Sequence, residues 1–190
     1  MKDKTIWLVA ALLTFLIGLA AFLIAELSSP LPSDSALSKN FLEHQETFNQ
    51  LVKMINEDST VLSVGKSHVC LKNDDDWPPY IYLYEDKPWP YTKSELKFSK
   101  RRWDEYKNLF RELNLKMGVE RKEHIPGAIF FLASFDSSEI DQAEPVVIEK
   151  GYVYSSNSLD DLQIKDPLIS FKRLNRNWYL YYEWFVSKPE

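Results

Sequence analysis

The chain has 190 residues, a formal net charge of −5 and one cysteine, Cys70. Beyond the charged residues at positions 2–4 it carries 21 basic and 27 acidic residues, a net charge of −6. An acidic body of this kind argues against general nucleic-acid binding. A lone cysteine also excludes an intrachain disulfide, so the fold must be stabilised by its hydrophobic core.

The N-terminal run IWLVAALLTFLIGLAAFLIA, residues 6–25, contains no charged side chain. A helix of this length reaches about 30 Å, the thickness of the hydrocarbon core of a bilayer. A cleaved secretory signal is the alternative, but it would have a shorter apolar stretch that ends in a small-x-small site. Cleavage after Ala25 would place bulky Leu23 at the third position back. We therefore predict a transmembrane signal anchor over residues 1–25, in contact with the lipid bilayer through residues 6–25.

The charges that flank this run predict its orientation, because Lys and Arg are retained on the cytoplasmic side. Lys2 and Lys4 precede the run, whereas Glu26 and Asp34 come before the first downstream cation, Lys39. We expect a cytoplasmic N-terminus and an extracytoplasmic body. The sequence has no Asn-x-Ser/Thr sequon, which is compatible with a bacterial envelope protein. The expected location is the periplasmic face of a bacterial inner membrane.

Residues 26–36, ELSSPLPSDSA, have the composition of an exposed linker, with two prolines and four serines. The domain is expected to span residues 37–190. Its first helix is predicted over about 37–57, because apolar or aromatic side chains recur there at spacings of three and four, the period of one helix face. These side chains are Leu37, Phe41, His44, Phe48, Leu51 and Ile55.

Two extended segments follow, residues 60–71 (TVLSVGKSHVCL) and residues 80–85 (YIYLYE). The second alternates tyrosine with Ile and Leu, so its tyrosines share one strand face. A second helix is predicted after the prolines of KPWP, because Thr92 and Glu95 have the spacing of a capping box. Its apolar face continues to the residue before Gly118 and consists of Leu96, Trp103, Tyr106, Phe110, Leu113 and Met117.

Beyond Gly118 the apolar pattern changes to that of strands, in the runs GAIFFLASF, PVVIEKGYVYSS, PLISFKRL and NWYLYYEWF. Short connections favour antiparallel pairing, and residues 175–177 predict a tight turn in which Asn supplies a left-handed residue. Both faces of the last run are apolar, so this strand is expected to be central or covered on both sides. The prediction is an α+β domain in which two helices pack on one face of a mainly antiparallel β-sheet.

No combination of residues reaches a catalytic or metal-binding signature. His68 and Cys70 would share a strand face, but two ligands are too few for structural zinc, and a buried thiol beside an imidazole is the simpler interpretation. The three aspartates at 74–76 point in different directions and lack the spacing of a calcium loop. Glu85 and Glu183 are carboxylates of the kind that glycoside hydrolysis uses, although the sequence sets no distance between them. We predict no catalytic residue, no metal site and no cofactor.

The second predicted helix carries eight basic and four acidic residues over positions 93–116, a net charge of +4 in an acidic chain. A basic helix suits an acidic partner or anionic headgroups. A solvated face with ion pairs four residues apart, such as Arg101 with Glu105, is the alternative explanation.

Aromatic residues are concentrated in the strand at 80–85 and in the proline-rich loops beside it. Packing in the core explains such residues, whereas an open face of rigid amphipathic rings would suit a protein partner, an extended peptide or a glycan. Together with the basic helix, they form the set of residues predicted to bind a partner: Trp77, Tyr80, Tyr82, Tyr84, Trp89, Tyr91, Arg101 and Arg102.

These features favour a non-enzymatic, single-pass membrane-anchored envelope protein whose extracytoplasmic domain binds another membrane or periplasmic protein. One alternative is an anchored envelope hydrolase with acids scattered through the sheet, which would show a deep pocket lined by Glu or His. Another is a glycan- or peptide-binding domain, which would show a concave patch with several exposed tyrosines.

Overall fold

The structure is a computed structural model that describes residues 31–72, 79–88, 98–122, 124–138, 146–159 and 168–186. The chain divides into two units, residues 1–31 and 32–190, and all described residues except Leu31 belong to the second unit. Within the described ranges, no helix is long and apolar enough to cross a membrane. The predicted span at 6–25 lies outside those ranges, as do the aspartates at 74–76 and the aromatic residues Trp77, Trp89 and Tyr91.

The single helix predicted at the start of the domain is in fact two helices, α1 (Asp34–Glu43) and α2 (Gln45–Glu57). His44 separates them, with φ −124° and ψ 25°, outside the helical region. The break leaves both apolar segments facing one core, because the rings of Phe41 in α1 and Phe48 in α2 lie 5.5 Å apart. The period of three and four therefore identified the buried face correctly but did not reveal the interruption.

The end of the predicted linker also belongs to α1. Ser33 caps this helix, since its hydroxyl oxygen accepts a hydrogen bond from the backbone N–H of Ala36 at 3.2 Å. The helix consequently starts at Asp34, before the predicted domain boundary at residue 37.

The second predicted helix is α3 (Lys100–Glu112), and Ser99 caps it by accepting a hydrogen bond from the N–H of Arg102. The predicted capping box lies outside the described residues. Asn114 ends the helix because it adopts a left-handed φ of 54°, and the N–H of Leu115 then bonds to the carbonyl of Phe110 at 2.8 Å. The helix is therefore shorter at its C-terminus than the apolar pattern predicted.

The predicted extended segment at 60–71 is a hairpin of two strands rather than one strand. A three-residue strand before the predicted run GAIFFLASF was not predicted, because three residues are too few to show an alternating pattern. The described strands are β1 (Val61–Gly65), β2 (His68–Lys72), β3 (Tyr80–Tyr84), β4 (Gly118–Glu120), β5 (Ala128–Ser138), β6 (Val146–Ser155), β7 (Ile169–Arg173) and β8 (Trp178–Val186).

The turn between β7 and β8 is tight, as predicted, but it contains no left-handed Asn. Instead, the side-chain oxygen of Asn175 accepts hydrogen bonds from the N–H groups of Asn177 at 3.1 Å and Trp178 at 3.2 Å. An Asn side chain that replaces a backbone acceptor in this way forms the turn without a positive φ.

The strands form one antiparallel sheet in the order β3-β2-β1-β4-β5-β6-β8-β7. The predicted α+β class and antiparallel sheet are confirmed, with three described helices where two were predicted. One face of the sheet packs with the helices in a core whose aromatic centre consists of Phe41, Phe48, Phe131, Tyr152 and Trp178.

A second core lies on the opposite face of β5 to β8. Trp178 and Leu180 of β8 are buried in the helical core, while Tyr179 and Tyr181 are buried in the second core. The prediction that the last strand is covered on both faces is therefore confirmed for these four residues. The second core also contains Ile125, Ala128, Phe130, Leu132, Val153, Leu159, Ile169 and Phe171.

Candidate functional site

Tyr80, Tyr82 and Tyr84 form the outer face of β3, and we call these three residues the tyrosine face. Their exposed fractions are 37%, 53% and 39%, whereas Leu83 between them is 2% exposed and belongs to the helical core. The predicted alternation is thus present, and it leaves the rings on the side of the sheet away from the helices. Three exposed aromatic side chains in a row are an apolar surface that a partner could bury.

The rings of this face contact one another and the side chains around them. β3 is an edge strand among the described strands, and its tyrosines lie opposite Lys72, Cys70 and His68 of β2. The Tyr82 and Tyr84 rings stack with centroids 6.4 Å apart. Lys87 Nζ lies 4.4 Å from the centre of the Tyr84 ring. The tyrosine face is therefore a row of exposed rings with Lys72 and Lys87 beside it.

His68 and Cys70 share a face, as the sequence indicated, and they lie beneath the tyrosines. Burial raises the pKa of the Cys70 thiol, and a hydrogen bond with Tyr82 only partly offsets this effect. The same thiol raises the pKa of the Tyr82 hydroxyl. A protonated thiol is a poor nucleophile, so this pair supports the packing of the tyrosines rather than covalent chemistry.

Arg101 and Arg102 do not join the tyrosine face. Both lie on α3, which packs on the helical side of the sheet through Trp103, whose indole N–H donates to the carbonyl oxygen of Gly65 at 2.8 Å. Arg101 is exposed and lies 3.5 Å from Glu105. The described members of the predicted partner-binding set are thus divided between opposite sides of the sheet.

Arg102 is held by three carboxylates of the helices. Its guanidinium contacts Asp58 at 2.8 Å, Glu57 at 2.9 Å and Glu105 at 3.2 Å. Burial opposes the charge, but hydrogen bonds and attraction from these carboxylates, led by Asp58, raise the pKa of Arg102. Because Glu57 and Asp58 end α2, Arg102 connects α3 to α2.

The structure also contains an ionic cluster that the sequence analysis missed. Lys122 Nζ lies 3.0 Å from a carboxylate oxygen of Glu149 and 3.3 Å from one of Glu120, and it also contacts Glu183. We call these four residues the Lys122 cluster. They come from β4, the segment after it, β6 and β8, so one ammonium group connects three strands of the sheet.

Charge balance in the Lys122 cluster is unusual. Glu149 and Glu183 are directly opposite each other on β6 and β8, a pairing that like charges disfavour. Burial opposes the charge on Lys122, but the three carboxylates raise its pKa to about 12. Burial raises the pKa of Glu149 in spite of Lys122. The sequence signal was a carboxylate at a strand position flanked by apolar residues, in VVIEKGYVY and in WYLYYEWF.

The candidate carboxylates for hydrolysis are not brought together. Glu85 follows β3 and pairs with Lys107 of α3 at 2.9 Å, whereas Glu183 lies on β8, separated from β3 by five strands of the sheet. Both carboxylates are therefore ion-paired at distant points. The groove beside Glu85 is lined by paired charges and by polar residues, namely Lys66, Asp104, Lys107, Asn108 and Arg111.

Within the described residues, no group of three or more His, Cys, Asp or Glu residues is arranged to hold a metal ion. Comparisons with family models, with curated proteins and with solved structures found no match to this chain. The geometry of its own side chains is therefore the basis for a functional proposal.

Proposed function

We propose that this chain is a single-pass membrane-anchored envelope protein whose extracytoplasmic domain binds a protein partner through the tyrosine face. The observation that supports this function most directly is the exposure of Tyr80, Tyr82 and Tyr84 on the outer side of β3. The other aromatic residues of the described strands are mainly buried in the two cores.

Aromatic rings suit this role for a physical reason. A tyrosine offers a large apolar surface with few rotatable bonds and a hydroxyl group that accepts or donates a hydrogen bond, so little entropy is lost when a partner covers it. Contacts with His68 and Lys87 hold the Tyr84 ring before any partner arrives. Burying such pre-ordered rings is the kind of contact that dominates binding energy in protein interfaces.

The anchor and the orientation are proposed from the sequence. The uncharged run at 6–25 has the length of a membrane span, and the basic residues before it favour a cytoplasmic N-terminus. A phosphatase reporter fused after Glu190 and active only outside the cytoplasm tests this part. Activity supports the orientation, and a reporter that is inactive while the fusion is intact in the membrane contradicts it.

Site-specific photocrosslinking tests the binding surface. Benzoylphenylalanine would replace Tyr82 in the full-length protein, and Met117, which is also partly exposed but lies outside β3, would receive the same replacement as a control. We expect a discrete adduct with one reproducible protein from position 82 and none from position 117. Adding Tyr80→Ser and Tyr84→Ser should weaken the adduct at 82.

Two outcomes would contradict the proposed surface. Equal adducts from both positions would mean non-specific capture. A lack of any adduct at position 82, in a chain that is correctly inserted and folded, would transfer support to the glycan- or peptide-binding alternative, which the exposed stacked rings of Tyr82 and Tyr84 also suit. Binding of purified full-length protein to envelope glycans and peptides would then be measured.

A further inference from the structure

A second exposed apolar surface lies far from the tyrosine face along the sheet. Leu42 of α1, Leu168 before β7 and Trp184 of β8 are 73%, 51% and 48% exposed. The backbone N–H of Trp184 donates to the carbonyl oxygen of Leu168 at 2.9 Å, and Leu42 lines a groove together with Asp34 and Lys172. These residues, with Lys150 and Tyr182, form what we call the α1 patch.

Close contacts connect the members of the α1 patch. The rings of Trp184 and Tyr182 meet edge to face at 5.9 Å, and Lys150 Nζ lies 6.0 Å from the centre of the Tyr182 ring. Asp34 then pairs with Lys150 at 2.8 Å and with Lys172 at 3.0 Å. The patch therefore combines exposed apolar groups with Lys172, whose side chain is 64% exposed, and with the mostly buried Lys150, and both lysines pair with Asp34.

We infer that the α1 patch rests on the headgroup region of the bilayer, with anionic lipid as its occupant; this inference rests on the anchor in the proposed function. Trp and Tyr prefer the interface between lipid and water because their rings are apolar and carry one polar group. Lysines near an anionic leaflet are attracted to it. The α1 patch has both kinds of residue.

The position of the patch in the chain also selects lipid as the occupant. Asp34, the first residue of α1, is bonded to both lysines of the patch, and only eight residues separate it from the end of the uncharged run at Ala25. A tether this short keeps the concentration of headgroups high around the start of α1. The tyrosine face lies at the opposite edge of the sheet and on the face away from the helices, so it stays available to a protein partner.

Spin labels on the full-length protein test the inference. Cys70→Ser removes the native thiol, and single cysteines are introduced by Trp184→Cys or Leu42→Cys in the patch and by Tyr84→Cys as the control. Each labelled protein is reconstituted in vesicles of phosphatidylglycerol and phosphatidylcholine in equal parts. Power saturation then measures collisions of each label with a water-soluble nickel chelate.

We expect both patch labels to collide with the chelate less often than the label at position 84. The difference should shrink in vesicles of phosphatidylcholine alone and at high salt. Lys172→Ala should lower the ratio of docked to undocked molecules about fivefold, the factor for one lysine near an anionic surface.

Several results would overturn the inference. Equal accessibility at positions 184, 42 and 84 in anionic vesicles would mean that lipid does not cover the patch. If the patch labels are as well protected from the chelate in a lipid-free amphipathic polymer as in anionic vesicles, another copy of the chain covers the patch. An alkaline carbonate wash separates the two proposals: extraction of the chain overturns the anchor, whereas retention with equally exposed labels overturns only the lipid contact.

Discussion

Removal of the ammonium group from the Lys122 cluster should destabilise the domain far more than the loss of a surface ion pair. Lys122→Met keeps most of the aliphatic chain and removes the ammonium group, whose Nζ lies 5.0 Å from the centre of the Phe130 ring and 5.6 Å from that of Tyr181. The three carboxylates that it contacts are then left without a cation. The repulsion is strongest between Glu149 and Glu183, because they are cross-strand neighbours and mostly buried.

The expected loss of stability in Lys122→Met depends on how deeply the carboxylates are buried. Loss of one partner from a buried ion pair costs about 3–5 kcal/mol, and we expect about 3 kcal/mol because Glu120 remains partly exposed to water. An exposed pair would lose at most about 1 kcal/mol. For a domain of this length, 3 kcal/mol corresponds to a decrease in melting temperature of about 6–12 °C.

Thermal unfolding of the full-length protein in detergent, followed by near-ultraviolet circular dichroism at neutral pH, measures this decrease. The matched control combines Lys122→Met with Glu149→Gln and Glu183→Gln, which removes the repulsion and should recover about 2 kcal/mol. A loss below about 1 kcal/mol in Lys122→Met, with no recovery in the triple variant, would refute the claim that the cluster is electrostatically coupled and buried.

The other predictions concern stability and pH. Trp103→Ala should lower the free energy of unfolding by about 3 kcal/mol, since it empties a fully buried site and removes the hydrogen bond to Gly65; an unchanged urea midpoint would show that the site collapses without cost. Tyr152→Phe should cost about 1–2 kcal/mol by the same measurement, because the carbonyl of Leu37 loses its donor, and a neutral effect would mean that water replaces the hydroxyl. The pKa of Lys122 is raised from 10.5 to about 12, so its stabilisation is complete below pH 10.5 and is lost as pH rises toward 12. The stability difference between the wild type and Lys122→Met should therefore narrow over that interval in melts at stepped pH, and a constant difference would contradict the shift.

The elements that the sequence identified correctly are those with long periodic patterns. Residues 80–85 alternate over five positions, and the structure contains β3 there with its tyrosines on one side. The apolar face predicted for α1, α2 and α3 is buried at Leu37, Phe41, Phe48, Leu51, Ile55, Trp103, Tyr106 and Phe110. The period of the apolar residues shows which side chains share a face of a helix or strand. Because the period is a property of neighbouring residues, it can be read without knowing the tertiary structure.

The wrong helix boundaries lie where the conformation of one residue interrupts the apolar pattern. His44 divides one predicted helix into two, although its side chain fits the apolar spacing. Asn114 ends α3 while apolar residues continue beyond it, because its left-handed φ allows the carbonyls of the last turn to find donors. The spacing of apolar residues does not show the backbone φ of a single residue. The helix ends at His44 and Asn114 depend on that residue's conformation and hydrogen bonds, so the spacing did not predict them.

The exposure of a strand residue depends on where its strand lies in the sheet. Tyr82 and Tyr181 both alternate with apolar neighbours in strands, yet one is exposed on an edge strand and the other is buried in a second core. Strand order determines this difference, since β3 has a described neighbour on one side and β8 lies between β6 and β7. The Lys122 cluster depends in the same way on strand order, because β4, β6 and β8 are far apart in the chain and lie within one part of the sheet. The helical faces, the strand faces and the uncharged N-terminal run can be read from the sequence, because each is a property of residues that are neighbours in the chain. Exposure and charge pairing across the sheet follow from folding, because they depend on residues that are far apart in the chain.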